Sequence, residues 1–444
     1  MKIAFIVSIC LIFVGCNTTP DGSGITEMPV SQIRQERIEL DFNVTEAQII
    51  DQLSKTYPNL TPKQISVWEE TGELEMRIIN GEKKYFRNAV SNLYRLNSEA
   101  RQKRDNIYGL PSSGLNEFRV HQAEHVLSEI DNKNQPQERN WHIQFTITVQ
   151  PGVVPNGEIV KCWMPYPKPH QSRLTNIRLI SVNNENILIS DSNSLHRSLY
   201  MEKQASDEHQ TQFRYELSFS TQAEWVDPLD LTSLPYDHSS ETFMNNTQEQ
   251  FPHIVFTEEV RQLADSLTLG ITDPVKIVKA LYYWIEENIP WASALEYSIF
   301  ECIPDYVLKY RHGDCGMVSF LFMSMARYKG IPVKWQSGWM LHPGYENLHD
   351  WVEVYYEGIG WIPLDVSFGL ISSTDSKIRD YYITGIDAFR LIVNDAVAAE
   401  LNPPKQFYRS EPFDFQRGEL EWSGGNLYFN QWDYSLKIIN NHEQ

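Results

Sequence analysis

The sequence predicts an α+β protein in successive blocks: a mainly helical region, an antiparallel β-sandwich, and a mixed core in which helices lead into strands. Three observations predict it. Helix caps and helical spacing occupy residues 31–131. Short alternating runs separated by Asn, Gly, Pro and Ser fill 139–225. From about 250 two capped amphipathic stretches precede a switch to strand patterns after Gly330. A chain of 444 residues is long enough for two or three such units, and its 41% hydrophobic and 12% aromatic content is that of a folded protein. The formal net charge of −20 comes without a Lys/Arg cluster on the scale that phosphate-backbone binding needs, which argues against a nucleic-acid partner.

Residues 1–16, "MKIAFIVSICLIFVGC", read as an export signal. Lys2 precedes an apolar run, 3–14, that is too short to span a bilayer and ends at Gly15-Cys16. A small residue before a cysteine resembles a bacterial lipobox. That resemblance implies lipidation of Cys16 and a membrane-anchored lipoprotein of the cell envelope, on the periplasmic face or the cell surface. An ordinary signal peptide is the alternative. Residues 17–30 then form a polar tether. With Cys10 removed and Cys16 lipidated, Cys162, Cys302 and Cys315 remain, so at least one thiol is expected unpaired within the chain. No two cysteines stand at CxxC spacing, so no metal site is expected, and no cofactor is implied.

Within 31–131, Thr61-Pro62 is an N-cap followed by Pro at the first helical position. Asn80-Gly81 between two short runs predicts a hairpin. The stretch "FRNAVSNLYRLNSEARQKRD" reads as one exposed helix, part of a helical cap or a partner-binding surface. Residues 132–139 are a linker. Trp141, Ile143, Phe145, Ile147 and Val149 then alternate as one buried face of a strand, and further short strands complete the sandwich to 225. Cys162 falls within a strand as a small buried hydrophobe. In the block 250–400, Asp273 can cap a helix that begins at Pro274 and carries Ile277, Val278, Leu281, Ile285 and Ile289 on one stripe. Residues 401–444 are expected as a C-terminal extension.

The stretch "RHGDCGMVSFLFMSMARYKGIP" (311–332) places a lone cysteine at the start of an apolar run of helical spacing, with Gly330 and Pro332 as stop signals. A thiol at a helix N-terminus meets unpaired N–H groups and the positive end of the dipole, which favour a thiolate. Gly313 and Gly316 are expected to leave room for a substrate backbone. Cys315 is therefore either a nucleophile or a structural buried cysteine. A nucleophilic thiol needs a base and a group to orient that base. "NLHDWVEVYYEGIGWIPLDVSFG" reads as two strands joined by a Gly-containing turn. An odd-length loop would put His349 and Asp365 on one face; the loop Tyr356-Glu357-Gly358 would place them directly opposite. Glu353 is a rival carboxylate on the His349 face, while Asp314 and Asp350 are expected to be local or to point elsewhere.

Taken together, "GDCGMVSFLFMSMARYKGIPVKWQSGW" and "HDWVEVYYEGIGWIPLDVSFG" resemble the core of the transglutaminase-like superfamily, over roughly 275–372. The resemblance implies a papain-like fold for this core, with a Cys–His–Asp triad in that chain order. By it, Cys315 is the nucleophile, His349 the base and acid, and Asp365 the orienter. The family's second oxyanion donor lies upstream of the nucleophile helix; Tyr297 is the candidate here and Trp291 its rival. No acidic loop resembles the calcium sites of the animal cross-linking members. The resemblance implies a membrane-anchored thiol-dependent amide hydrolase, a cysteine peptidase with protein or peptide substrates. Two alternatives stand beside it: a protein-glutamine transglutaminase, and a non-catalytic binding module on the same scaffold.

Overall fold

The computed structural model describes residues 29–132, 134–170 and 173–441; the expected leader with Cys16, and the tether up to residue 28, lie outside them. The α+β architecture is observed, with the sheets antiparallel throughout. Among the described residues no helix is long and apolar enough to cross a membrane.

The N-terminal helices are α1 (Val30–Asp41), α2 (Glu46–Leu53) and α3 (Pro62–Glu70). Thr45 with Gln48, and Thr61 with Gln64, close reciprocal capping boxes on α2 and α3. Strands β1 (Met76–Ile79) and β2 (Glu82–Tyr85) follow, joined at Asn80-Gly81 with φ of 53° and 83°, the two positive values a type I′ turn requires. The stretch expected as one exposed helix is two: α4 (Ala89–Leu96) and α5 (Ser98–Tyr108). Asn97 breaks it, because its extended backbone ends α4 while its side chain accepts the Ala100 N–H at 2.9 Å and caps α5. Helix α6 (Gly114–Asp131) completes the region. Leu53, Trp68 and Leu93 of these helices share one apolar core with the helices of the 250–400 block, so the region is a packed cap.

The sandwich is built from β3 (Arg139–Val149), β4 (Ile159–Pro165), β5 (Leu174–Val182), β6 (Ile187–Ile189), β7 (Ser198–Gln204) and β8 (Thr211–Thr221). All five alternating residues of β3, from Trp141 to Val149, are buried. The chain continues through β9 (Glu224–Trp225), α7 (Glu241–Asn246), α8 (Glu258–Leu267), α9 (Pro274–Asn288), α10 (Ile303–Tyr310) and α11 (Cys315–Tyr328). It then forms β10 (Val333–Met340), β11 (Asn347–Tyr356), β12 (Gly360–Leu364), α12 (Ser376–Arg379), β13 (Gly385–Ile386) and β14 (Arg390–Asn394). Strands pair in the order β12-β11-β10-β14.

Helix α11 is apolar around its whole circumference and every residue from 316 to 327 is buried, as that composition demands. Gly330, at φ +74°, ends it: Gly330 N bonds Arg327 O and Ile331 N bonds Ala326 O, a Schellman closure. One face of the β10–β12 sheet, with Trp335, Val352, Val354 and Leu364, packs on α11. Trp351, on the other face, joins the sandwich core, as do Trp339 and Leu391.

Of the expected C-terminal extension, residues 401–441 do not stand apart. They supply β15 (Glu419–Trp422) and β16 (Gly425–Leu427) beside β4, and β17 (Trp432–Asn441) beside β3, so both sandwich sheets are finished from the far end of the chain. Strands β3 and β4 would otherwise each expose a row of unpaired backbone groups.

Candidate active site

Cys315 opens α11, and Asp314 caps it by accepting the Met317 N–H at 3.0 Å. The half-buried thiol donates to Asp350 Oδ2 at 3.3 Å. Asp350 was expected to point elsewhere; side-chain alternation along β11 instead sets Asp350, Val352 and Val354 toward α11, and His349, Trp351 and Glu353 away from it. Burial, reinforced by Asp350 and Asp314, pushes the Cys315 thiol well above its usual range. The helix N-terminus acts in the opposite sense, favouring a thiolate. The space beside the two glycines is also taken by protein. A Cβ on Gly316 would collide with the Tyr297 hydroxyl and lie 2.7 Å from Asp350 Oδ2, and one on Gly313 would lie 3.0 Å from Met317 Cβ.

His349 and Asp365 are brought together: Nε2 lies 2.7 Å from Asp365 Oδ2, both side chains buried. The loop between their strands is Glu357-Gly358-Ile359, closed by the pair Tyr356↔Gly360, one residue later than expected. Its odd length keeps the two on one face, but diagonal rather than directly opposite. Backbone N–H groups of Ser367 and Phe368 donate to Asp365 Oδ1 at 3.1 and 3.0 Å, and Arg390 Nη2 reaches Oδ2 at 3.0 Å. Burial raises the Asp365 carboxyl, but His349 and Arg390 more than offset it and hold it below its ordinary value. Burial keeps the His349 imidazole below its ordinary pKa, even though Asp365 pulls the other way. Arg390 also bonds Asp387, which in turn holds His342 at 3.1 Å, so two His–Asp pairs share one guanidinium. The rival acid, Glu353, is held by Arg173, His170 and Lys334 instead.

Cys315, His349 and Asp350 line one cavity of about 940 Å³. No hydrogen bond joins the thiol to the imidazole among the described residues; the thiol is engaged by Asp350, and His349 keeps Nδ1 free. Tyr297 also lines the cavity, and its hydroxyl donates to Asp314 Oδ1 at 2.7 Å, with Asp350 Oδ2 at 3.4 Å. Trp291, 45% exposed, lines it too.

Local reading missed the residues that the C-terminal segment lays into this cavity. Gln416 Nε2 donates to Asp350 Oδ1 at 2.6 Å and to the His349 carbonyl at 2.9 Å. Asp414 accepts from Asn394 at 3.1 Å, and Arg417 pairs with Glu296. Burial pushes Asp314 up to about 6 and Glu411 up to about 8; Asp350 and Asp414 are raised by the same cause, Asp350 further by Asp414 and Asp314. The stretch "EPFDFQR" has no helical or strand period that would have singled it out. Among the described residues, no group of three His, Cys, Asp or Glu side chains is arranged to hold a metal ion.

Residues 261–366, which hold the cysteine at the head of a buried helix and the His–Asp pair on the adjoining hairpin, match the transglutaminase-like superfamily, so this stretch is a transglutaminase-like domain. Among solved structures, one from Cytophaga hutchinsonii described as a "Putative Cysteine Protease" is 16% identical over 69% of this chain and 92% of its own, with a TM-score of 0.45. The periplasmic domain of TgpA from Pseudomonas aeruginosa is 16% identical over 51% of this chain and 88% of its own, with a TM-score of 0.27. No curated protein matches the chain.

Proposed function

We propose that this chain is a thiol-dependent amide hydrolase, a cysteine peptidase acting on protein or peptide substrates, held in the cell envelope by a lipid on Cys16. The observation that carries the chemistry is the His349–Asp365 pair, with Nδ1 free, opening on the same cavity as Cys315. In this reading the thiol first turns from Asp350 to His349 and gives its proton to Nδ1. The sulfur then attacks the amide carbon, forming the C–S bond and an oxyanion that the Cys315 N–H stabilises. Tyr297 is the second donor, once its proton leaves Asp314. Collapse breaks the C–N bond; Nδ1 protonates the departing amine and a thioester remains. Water then gives its proton to Nδ1 and attacks the thioester, and the displaced sulfur recovers a proton. Asp365 holds the imidazole in orientation throughout.

In this reading water rather than an amine completes the reaction, in a cavity lined by the carboxylates Glu296, Asp314, Asp350, Glu411 and Asp414. One observation favours the non-catalytic alternative: the thiol is tied to a carboxylate and raised.

The test alkylates the protein with iodoacetamide, maps the modified peptide, and then offers glutamine-containing peptides with a primary-amine reporter. Labelling at Cys315 and peptide-fragment or ammonia release, both lost in Cys315→Ala, is the expected result. Amine incorporation as the main product would replace the hydrolase with the transglutaminase, and an inert Cys315 with no product would leave the binding module.

A further inference from the structure

Arg95 lines this cavity with no ion-pair partner among the described residues. Arg87 and Arg417 also line it, but both are paired with Glu296. Arg119 has no ion-pair partner there either, but its Nη2 is given to the Phe368 and Gly369 carbonyls. Among the described residues no carboxylate stands within ion-pair distance of Arg95. Its one side-chain hydrogen bond runs from Nη1 to Ser91 Oγ at 2.9 Å, leaving Nε and Nη2 without a protein acceptor.

The position of Arg95 is built. Asn92, one turn earlier on α4, exchanges two hydrogen bonds of 2.9 Å with the backbone of Ser293, which fastens α4 to the segment beside the nucleophile. The Arg95 guanidinium stacks on the Trp291 ring at 4.8 Å from its centroid. Trp291 pairs through its backbone with Gly313, and Ala292 N bonds Gly313 O at 3.0 Å, two residues before Cys315. A planar cation is thus held over an exposed indole whose backbone bridges the segment that leads into the nucleophile. A guanidinium with N–H groups to spare offers the fork geometry that fits a carboxylate. Along the chain, residues 87–104 hold five basic side chains against one acidic, while Glu296, Asp314, Asp350, Glu411 and Asp414 line the same cavity.

We propose that Arg95, held against Trp291, is a specificity-determining residue that binds a carboxylate of the peptide substrate near the bond presented to Cys315. This rests on the peptidase reading above. The carboxylate has two chemical sources, an Asp or Glu side chain or the free C-terminus of the peptide.

The experiment measures retention, not turnover. Full-length Cys315→Ala protein is incubated with Nα-acetylated hexapeptides that carry Glu or Gln at each position in turn, each made with a free or an amidated C-terminus. Bound peptides are quantified by mass spectrometry. A charge-assisted pair predicts a preference of roughly 10- to 100-fold for one class of carboxylate peptide over its neutral isostere. Preference for Glu over Gln assigns a side chain; preference for the free acid over the amide assigns the C-terminus. Arg95→Gln should abolish the preference and Arg95→Lys should restore part of it, which separates charge recognition from a folding defect. No carboxylate preference, a preference that survives Arg95→Gln, or no peptide retained at all would overturn the subsite. Because binding is read without the nucleophile, failure of acyl chemistry in the unsubstituted protein counts only against the peptidase reading.

Discussion

Cys315 Sγ donates to Asp350 Oδ2 across 3.3 Å, and Asp350 Oδ1 accepts from Gln416 Nε2 at 2.6 Å. The thiol is therefore anchored, through one carboxylate, to the C-terminal segment of the chain. Asp350 is one of the groups that raise the thiol, after burial itself. Asp350→Asn should move the pH midpoint of Cys315 alkylation down and speed modification at neutral pH, read as the rate of iodoacetamide incorporation across a pH series. An unmoved midpoint would show that Asp350 does not govern the thiol.

The His349–Asp365 bond of 2.7 Å should matter to rate far more than to substrate binding. Asp365→Asn leaves a side chain of the same shape but one that no longer selects the imidazole tautomer. Loss of turnover by about 10,000-fold with little change in KM is expected, by analogy with other His–Asp pairs. His349→Ala should match it, and a loss of only a few-fold in either would remove the triad from the chemistry.

Arg390 serves two buried carboxylates, Asp365 and Asp387. Arg390→Met strips a counter-ion from both and should cost about 3–5 kcal/mol in urea unfolding at neutral pH. Asp365 is held below its ordinary pKa by His349 and Arg390 against burial, so its contribution is present above the unfolded pKa and is lost as pH falls through the folded one. Removing Arg390 should move that acid loss to higher pH.

Glu411 behaves in the opposite sense. Burial pushes its carboxyl up to about 8, so the folded state prefers the protonated form. Its contribution is full below the unfolded value, about 4.3, and is lost as pH rises toward 8. Glu411→Gln should flatten the fall in stability over that window, seen in unfolding midpoints at matched pH. Parallel curves for the two proteins would contradict the assignment.

Cys16→Ser tests the proposed anchor independently of the site. The variant should appear in the soluble fraction, or stay unprocessed at the membrane. Processing and membrane attachment identical to the unsubstituted protein would end the lipoprotein reading.

Much of the fold was legible because its signals are local. The Thr61-Pro62 cap, the Asn80-Gly81 turn, the alternation from Trp141 to Val149 and the apolar run after Cys315 each report on neighbours within a few residues. The His349–Asp365 pairing was legible only as parity: an odd loop keeps two residues on one face, but not which pair lies opposite, and the register differs by one residue on each strand. Asn97 carried a cap signal that was read through, so one helix was expected where two exist.

By itself the sequence determined the local settings of the candidate residues: a cysteine at a helix start, and a histidine and an aspartate on two strands that an odd loop would set on one face. These follow from capping, periodicity and strand alternation, all short-range. Tertiary structure alone decided what surrounds them. Asp350 faces the thiol because α11 packs on that side of β11, and Asp414 and Gln416 enter the cavity because β15 and β17 must close sandwich edges begun far earlier in the chain. Contacts between distant segments obey no local period. The placement of Asp350, Asp414 and Gln416, and with it the resting state of the thiol, is set only when the sheets and the helix come together.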